Sequence, residues 1–142
     1  MNAGPSPTSK YAAGSAIVSN RRQNTAQSPA RGSPATLIPP GATNFPFHAH
    51  AAQWEVYIVI SGSGELRAGG TVVAVTAGDS FVCPPGEPHQ LKNTSTADLL
   101  YYVIADNPPA DVITYPDSNK WFVKPQRKSF TMQETDYYAN EE

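Results

Sequence analysis

The sequence predicts an all-β domain, a small antiparallel sandwich or barrel, and three observations predict it. From Pro34 onward, short apolar runs rich in Val, Ile, Tyr, Phe and Thr alternate with Gly and Pro punctuation. Gly69-Gly70 separates two of these runs by a two-residue gap, the signal of a hairpin whose turn needs positive φ. No convincing helical period occurs before about residue 130. Many short, regularly spaced strands in a chain of this length suit a small closed or sandwiched sheet, and such a barrel has a mouth in which ligands bind.

Taken in order, residues 1–33 are rich in Ser, Pro, Ala, Asn and Gln, with one weak strand-like patch at Ala16-Ile17-Val18. This arm carries Lys10, Arg21, Arg22 and Arg31 and no acid, and is read as a solvated, partly disordered basic tail. The barrel is expected over 34–107. Its strands are Ala35 to Ile38, Phe45 to His50, Trp54 to Ile60, Glu65 to Ala68, Thr71 to Thr76, Asp79 to Cys83, His89 to Asn93 and Asp98 to Ala105. Turn residues divide them, including Pro39-Pro40-Gly41, Ala51-Ala52-Gln53 and Ser61-Gly62-Ser63-Gly64.

Residues 108–142 form an extension. Val112 to Tyr115 and Trp121 to Val123 read as edge strands or a wrapping segment, and Met132 to Tyr138 as a short helix. Trp121, Phe122 and Phe130 call for burial, so the extension should pack on the barrel's outer face or on a partner subunit. Its end is acidic, with Glu134, Asp136, Glu141 and Glu142. Termini of opposite sign could pair within a chain or between subunits.

A chain of 142 residues holds one domain with a real core. A net charge of −2 gives no support to nucleic-acid binding, which shows as a basic excess. No apolar run approaches the roughly 20 residues of a membrane helix, and no apolar leader is visible, since Gly14 and Ser15 interrupt Tyr11 to Val18. The single cysteine, Cys83, cannot form an internal disulfide and reads as a small buried hydrophobe. A soluble, cytoplasmic protein is the expectation.

The chemistry concentrates in two stretches. All three histidines lie there, as His48-Ala49-His50 with Glu55, and as Pro84-Pro85-Gly86-Glu87-Pro88-His89. Residues two apart on a strand share a face, so His48 and His50 point into the same space. Glu55 lies an odd five positions beyond His50, and meets it only if the small residues Ala51-Ala52-Gln53 turn the chain back. Tyr57 and Val59 then continue the Glu55 face, with Val56, Ile58 and Ile60 opposite. Both faces are apolar, so the strand should be covered on both sides. A buried carboxylate needs a partner, and a metal supplies one. Prolines before His89 preset the entry of its strand, and Asn93 on the same face could steady a neighbouring loop. If the two stretches meet, three imidazoles and a carboxylate converge on a divalent cation.

At these residues the sequence resembles the cupin superfamily. The first motif of that family is matched by Gly41, His48, His50, Glu55 and Gly62, and the second by Gly78, Pro84, Gly86, His89 and Asn93. The gap from Gly41 to His48 is one residue longer than the commonest form. The likeness covers roughly residues 36 to 105. The extension around Tyr115 to Lys120 also looks like that of a group of small bacterial cupins. What the resemblance implies is a double-stranded β-helix (jelly-roll barrel), often dimeric, with a metal held by His48, His50, Glu55 and His89.

The metal expected is one divalent transition ion (Fe, Mn, Ni, Cu, Co or Zn), with open positions for a small oxygen-chelating molecule. Isomerase or epimerase chemistry and dioxygenase chemistry both suit such a centre. Glu55 and Tyr57 are the candidate catalytic groups, and Tyr57 and Gln53 the candidate substrate contacts, with Gln53 at the rim. Arg67 and Lys92 are the nearest bases, and no basic cluster offers a phosphate grip. The competing class is a non-catalytic cupin that binds a small ligand or metal. The expected partners are a small molecule and a second copy of the chain as a homodimer, without nucleic acid or membrane.

Overall fold

The computed structural model describes residues 35–141; the basic arm and its Ala16-Ile17-Val18 patch fall outside the described residues. Among the described residues there are eleven strands: β1 (Ala35–Ile38), β2 (Ala49–His50), β3 (Glu55–Ser61), β4 (Ser63–Ala68), β5 (Thr71–Thr76), β6 (Ser80–Cys83), β7 (His89–Lys92), β8 (Leu99–Ala105), β9 (Asp111–Tyr115), β10 (Lys120–Lys124) and β11 (Lys128–Thr131). The one helical turn among them is a 3-10 turn at Pro116–Ser118.

The strands make three sheets, ordered β1-β8-β3-β6, β5-β4-β7 and β11-β10-β9-β2. Every named pairing is antiparallel. Side-chain alternation follows the pleat. On β3, Glu55, Tyr57 and Val59 are buried, while Val56 and Ile58 are only half-buried and Ile60 is 42% exposed. The expectation that both faces of this strand are covered therefore holds only in part on its outer side. Inside, Ile38, Tyr57, Val59, Leu66, Val75, Phe81, Leu91, Leu99 and Tyr101 form one packed cluster with Cys83. Fully burying a side chain such as Val59 stabilises by about 1.5–3 kcal/mol, which sets the register wherever one face is core.

Two turns depend on glycine. β4 and β5 are joined by Gly69-Gly70, with Ala68 opposite Thr71 and φ of +54° at Gly69. Gly62 turns β3 into β4 at φ +84°, and a Cβ there would stand 2.4 Å from the Asp98 carbonyl oxygen. The turn needs both the positive φ and the missing side chain.

The expected strand at Phe45 to His50 shrinks to Ala49–His50, with His48 in a single bridge. Pro46, which lacks an N–H, interrupts the ladder ahead of it. The expected helix at Met132 to Tyr138 is absent; the chain there is irregular, with a turn from Tyr137, and exposed. A seven-residue segment with no apolar stripe to bury cannot hold a helix by itself. β11 forms just before it, pairing β10. The aromatic residues of the extension are less covered than expected, with Trp121 and Phe122 half-buried and Phe130 45% exposed.

The extension is not an appendage. β9 pairs directly with β2, setting Ala49 opposite Thr114 and His50 opposite Ile113.

Candidate metal centre

The two histidine stretches meet. His48 and His89 form an isolated antiparallel bridge, and their backbones exchange hydrogen bonds of 3.2 and 2.8 Å. Their rings lie 4.6 Å apart, and the His50 ring is 5.2 Å from that of His48. Glu55 enters from the first residue of β3, after Ala51 and Ala52 turn the chain back. The Ala51 N–H donates to the Val112 carbonyl at 2.8 Å and the Ala52 N–H to Asp111 Oδ1 at 2.9 Å. All four side chains are buried.

Each imidazole is held by its Nδ1 edge. His48 Nδ1 meets the Pro46 carbonyl at 2.9 Å, His89 Nδ1 the Glu87 carbonyl at 3.0 Å, and His50 Nδ1 the Asp111 carboxylate at 2.5 Å. These partners accept only, so Nδ1 carries the proton in each ring. The three Nε2 atoms are turned towards Glu55. They lie 4.0 Å (His48) and 2.9 Å (His89) from Oε2, and 3.7 Å (His50) from Oε1.

This arrangement tests the fit of a cation. His89 has an oxygen on both ring edges, and a neutral ring carries one N–H. The Nε2–Oε2 approach therefore needs positive charge between them: a second ring proton, or a metal ion in its place. One donor atom each from His48, Glu55 and His89 lies within 4.8 Å of the others, so these three can share one ion. His50 stands outside that mutually close set, and its Nε2 also lies 3.5 Å from Gln53 Nε2.

Electrostatics agree with a cation centre. Burial, reinforced by the nearby His89, lowers the His48 pKa to about 4, which keeps its ring neutral and able to ligate at neutral pH. Burial pushes the Glu55 carboxyl up, but the hydrogen bond with His89 and the charges of the three imidazoles outweigh it and hold it at about 2. Tyr57 Oη donates to Glu55 Oε2 at 3.0 Å, and burial raises its pKa well above the ordinary range. Stacked on Phe81 and Tyr101, with ring centroids 4.9 and 5.6 Å away, Tyr57 is a fixed neutral donor beneath the carboxylate. Tyr115 of β9 stacks on the other side, 6.2 Å from the His48 ring.

Gln53 is not at a rim. It is 1% exposed, its Nε2 donates to Glu55 Oε1 at 2.9 Å, and Lys124 Nζ donates to its Oε1 at 3.2 Å. Asn93 holds the loop after β7, its Nδ2 donating to the carbonyls of Ile38 (2.8 Å) and Ala97 (2.7 Å). Cys83 pairs with Glu55 across β3–β6 and is buried, and burial raises its pKa; it is a core residue, not a thiolate. Arg67 faces away from the cluster, stacked on Phe47 and paired with Asp117.

Asp111 and Lys124 were missed by sequence reasoning. One signal was available for the first: strand parity puts Asp111 on the face of Ile113, which makes it a buried carboxylate.

The cupin-domain family model matches residues 36–105. An oxalate-binding protein of Thermotoga maritima is 31% identical over 67 residues, 47% of this chain and 54% of that protein. Auxin-binding protein 1 of Arabidopsis thaliana is 32% identical over 87 residues, 55% of this chain and 42% of that protein. The chain thus spans about half the length of the curated relatives it matches. Among solved structures, a putative sugar phosphate isomerase from Acidithiobacillus ferrooxidans superposes with a TM-score of 0.65 at 23% identity, covering 72% of this chain and 69% of that one. At that identity the likeness establishes the double-stranded β-helix alone. With both histidine motifs inside the matched segment and the same barrel around them, this chain belongs to the cupin superfamily.

Proposed function

We propose that this cupin holds one divalent transition metal through Nε2 of His48, His50 and His89 and a carboxylate oxygen of Glu55, and acts on a small oxygen-chelating molecule. The observation that carries the reading is the set of three imidazoles, each with its Nδ1 edge committed elsewhere and its Nε2 aimed at one buried carboxylate. When bound, such a metal supplies Lewis-acid polarisation of a chelated carbonyl or, if redox-active, oxygen chemistry. One carboxylate against a divalent charge leaves the centre positive, which favours anionic oxygen donors.

The chain's own residues do the rest. Glu55 is the base at the cluster, and the Tyr57 hydroxyl keeps its carboxylate oriented. No free phosphate grip lies at the cluster among the described residues: Lys124 is engaged by Gln53 and Asp111, Arg67 by Asp117, and Lys92 is exposed on the outer face. That weighs against a sugar phosphate and towards hydroxy-ketones or carboxylates, handled by isomerase-type or dioxygenase-type chemistry. Elemental analysis of protein purified without added metal tests the centre: close to one ion per chain is expected, and a full complement in His48→Ala would refute the reading. Assays of such substrates with and without dioxygen then divide the two chemistries, since turnover in anaerobic buffer eliminates the oxygenase.

A second reading, non-catalytic binding, is favoured by one observation. Among the described residues every titratable group that reaches the cluster besides the proposed ligands is engaged, Tyr57 on Glu55, Asp111 on His50 and Lys124 on Gln53 and Asp111, and both curated relatives are named for binding. Calorimetry with oxalate that shows tight binding and no turnover selects it.

A further inference from the structure

Two side chains from outside the matched cupin segment reach into the centre from behind. Asp111 opens β9 with its side chain fully buried. Its Oδ2 lies 2.5 Å from His50 Nδ1, and its Oδ1 accepts the Ala52 N–H at 2.9 Å. Lys124, the register partner of Asp111 on β10, places Nζ 3.7 Å from Asp111 Oδ2 and 3.2 Å from Gln53 Oε1. Lysine only donates, so it forces the Gln53 amide to present its oxygen to Lys124 and its nitrogen to Glu55. From Lys124 one path therefore runs through Asp111 to His50, and another through Gln53 to Glu55.

We propose that Asp111 and Lys124 are positioning residues of the metal centre: Asp111 fixes the His50 tautomer and ring orientation, while Lys124 balances the Asp111 charge and locks Gln53 against Glu55. The inference rests on the metal reading above for its consequence, and on these contacts alone for its geometry. Without the Asp111 carboxylate, nothing at that edge selects the Nδ1–H form, and His50 can turn its protonated edge towards Glu55. Without Lys124, the Asp111 carboxylate keeps a buried charge with no cation beside it, and the Gln53 amide is free to flip its oxygen onto Glu55, where two acceptors would repel. An ionised carboxylate on the far nitrogen also makes imidazole a better donor to a metal.

Two measurements on the full-length chain test this. In metal-free protein, long-range 1H–15N correlation of the imidazoles should show His50 protonated at Nδ1. Asp111→Ala should lose that preference while His48 and His89, held by backbone carbonyls, keep theirs. Zn2+ titrated against a chromophoric chelator should bind roughly 10–100-fold more weakly to Asp111→Asn. It should bind roughly tenfold more weakly to Lys124→Met, with recovery in Lys124→Arg. Lys124 lies at the end of β10 with its side chain 12% exposed and not fully buried like that of Asp111, so its variant decides the question if the Asp111 variants fail to fold. A folded Asp111→Ala with the His50 tautomer unchanged, or Asp111→Asn and Lys124→Met within threefold of wild type in Zn2+ affinity, overturns the proposal. Failure of the metal reading looks different: wild type itself takes up no Zn2+, while the tautomer still responds to Asp111.

Discussion

His48 and His89 exchange both of their backbone hydrogen bonds, so the two halves of the candidate site are joined at the residues that carry the chemistry. Their Cα positions are fixed by the ladder and their rings by carbonyls two residues upstream, at Pro46 and Glu87. Neither ring needs an ion to find its place. A preformed site of this kind binds without a folding cost, and its ion should add stability by mass action.

Stripping the metal should therefore leave a folded protein of lower melting temperature. At a free metal concentration a hundred times Kd the bound form gains about 2.7 kcal/mol, or roughly 10 °C for a chain of this size. Scanning calorimetry before and after dialysis against chelator checks it, and His89→Ala should melt alike in both.

Acid should destabilise the metal-free form in two successive windows. His48 is lowered to about 4 from 6.5, chiefly by burial, so between those values the unfolded chain takes a proton that the folded one refuses. Stability then falls as pH drops through that window, by about 2 kcal/mol from His48 alone between pH 7 and 5. Glu55, held at about 2, contributes stability that is present above its ordinary value of 4.5 and lost on further acidification. Urea unfolding at pH 7 and pH 5 should show a smaller drop for His48→Gln than for wild type; equal drops would contradict the assignment.

Tyr57→Phe should fold and keep its metal, since the ring still stacks on Phe81 and the losses are the 3.0 Å hydrogen bond to Glu55 and a long 3.4 Å contact with His89 Nε2. About 1 kcal/mol of stability should go with them. Metal content by elemental analysis separates this orienting role from direct ligation.

Gly62→Ala should cost at least about 2 kcal/mol, combining left-handed strain with a collision against the Asp98 carbonyl. Gly69→Ala, whose added Cβ meets nothing within 4 Å, carries the strain alone and should cost less. Denaturant midpoints for the pair rank the two effects.

Much of the barrel was legible because its strands are short, apolar and punctuated. β1 and β5 lie where the pattern puts them, and parity on β3 correctly turned Glu55, Tyr57 and Val59 inward. His48, His50 and Glu55 could be brought together by alternation and one tight turn, whereas the approach of His89 was conditional on the two stretches meeting and rested on the cupin resemblance. What escaped depends on tertiary contact. Gln53 reads as a turn residue in sequence, yet Lys124, seventy-one positions away, draws it into the interior. Asp111 belongs to no motif, and only the β2–β9 pairing shows which histidine it serves. The helix expected at Met132 to Tyr138 has no packing surface to support it, while β11 arises from pairing with a neighbour whose position no local pattern reveals.

β2 is two residues long and has β9 as its sheet neighbour. Trimming the gene at the edge of the segment matched by the cupin family model, a common choice for making a minimal fragment, would delete that neighbour and strip the histidine-bearing edge of its covering strand. The excised piece should be sticky and poorly soluble, and its failure to work would say nothing about the chemistry of the intact chain. The smallest fragment worth expressing runs through Lys124.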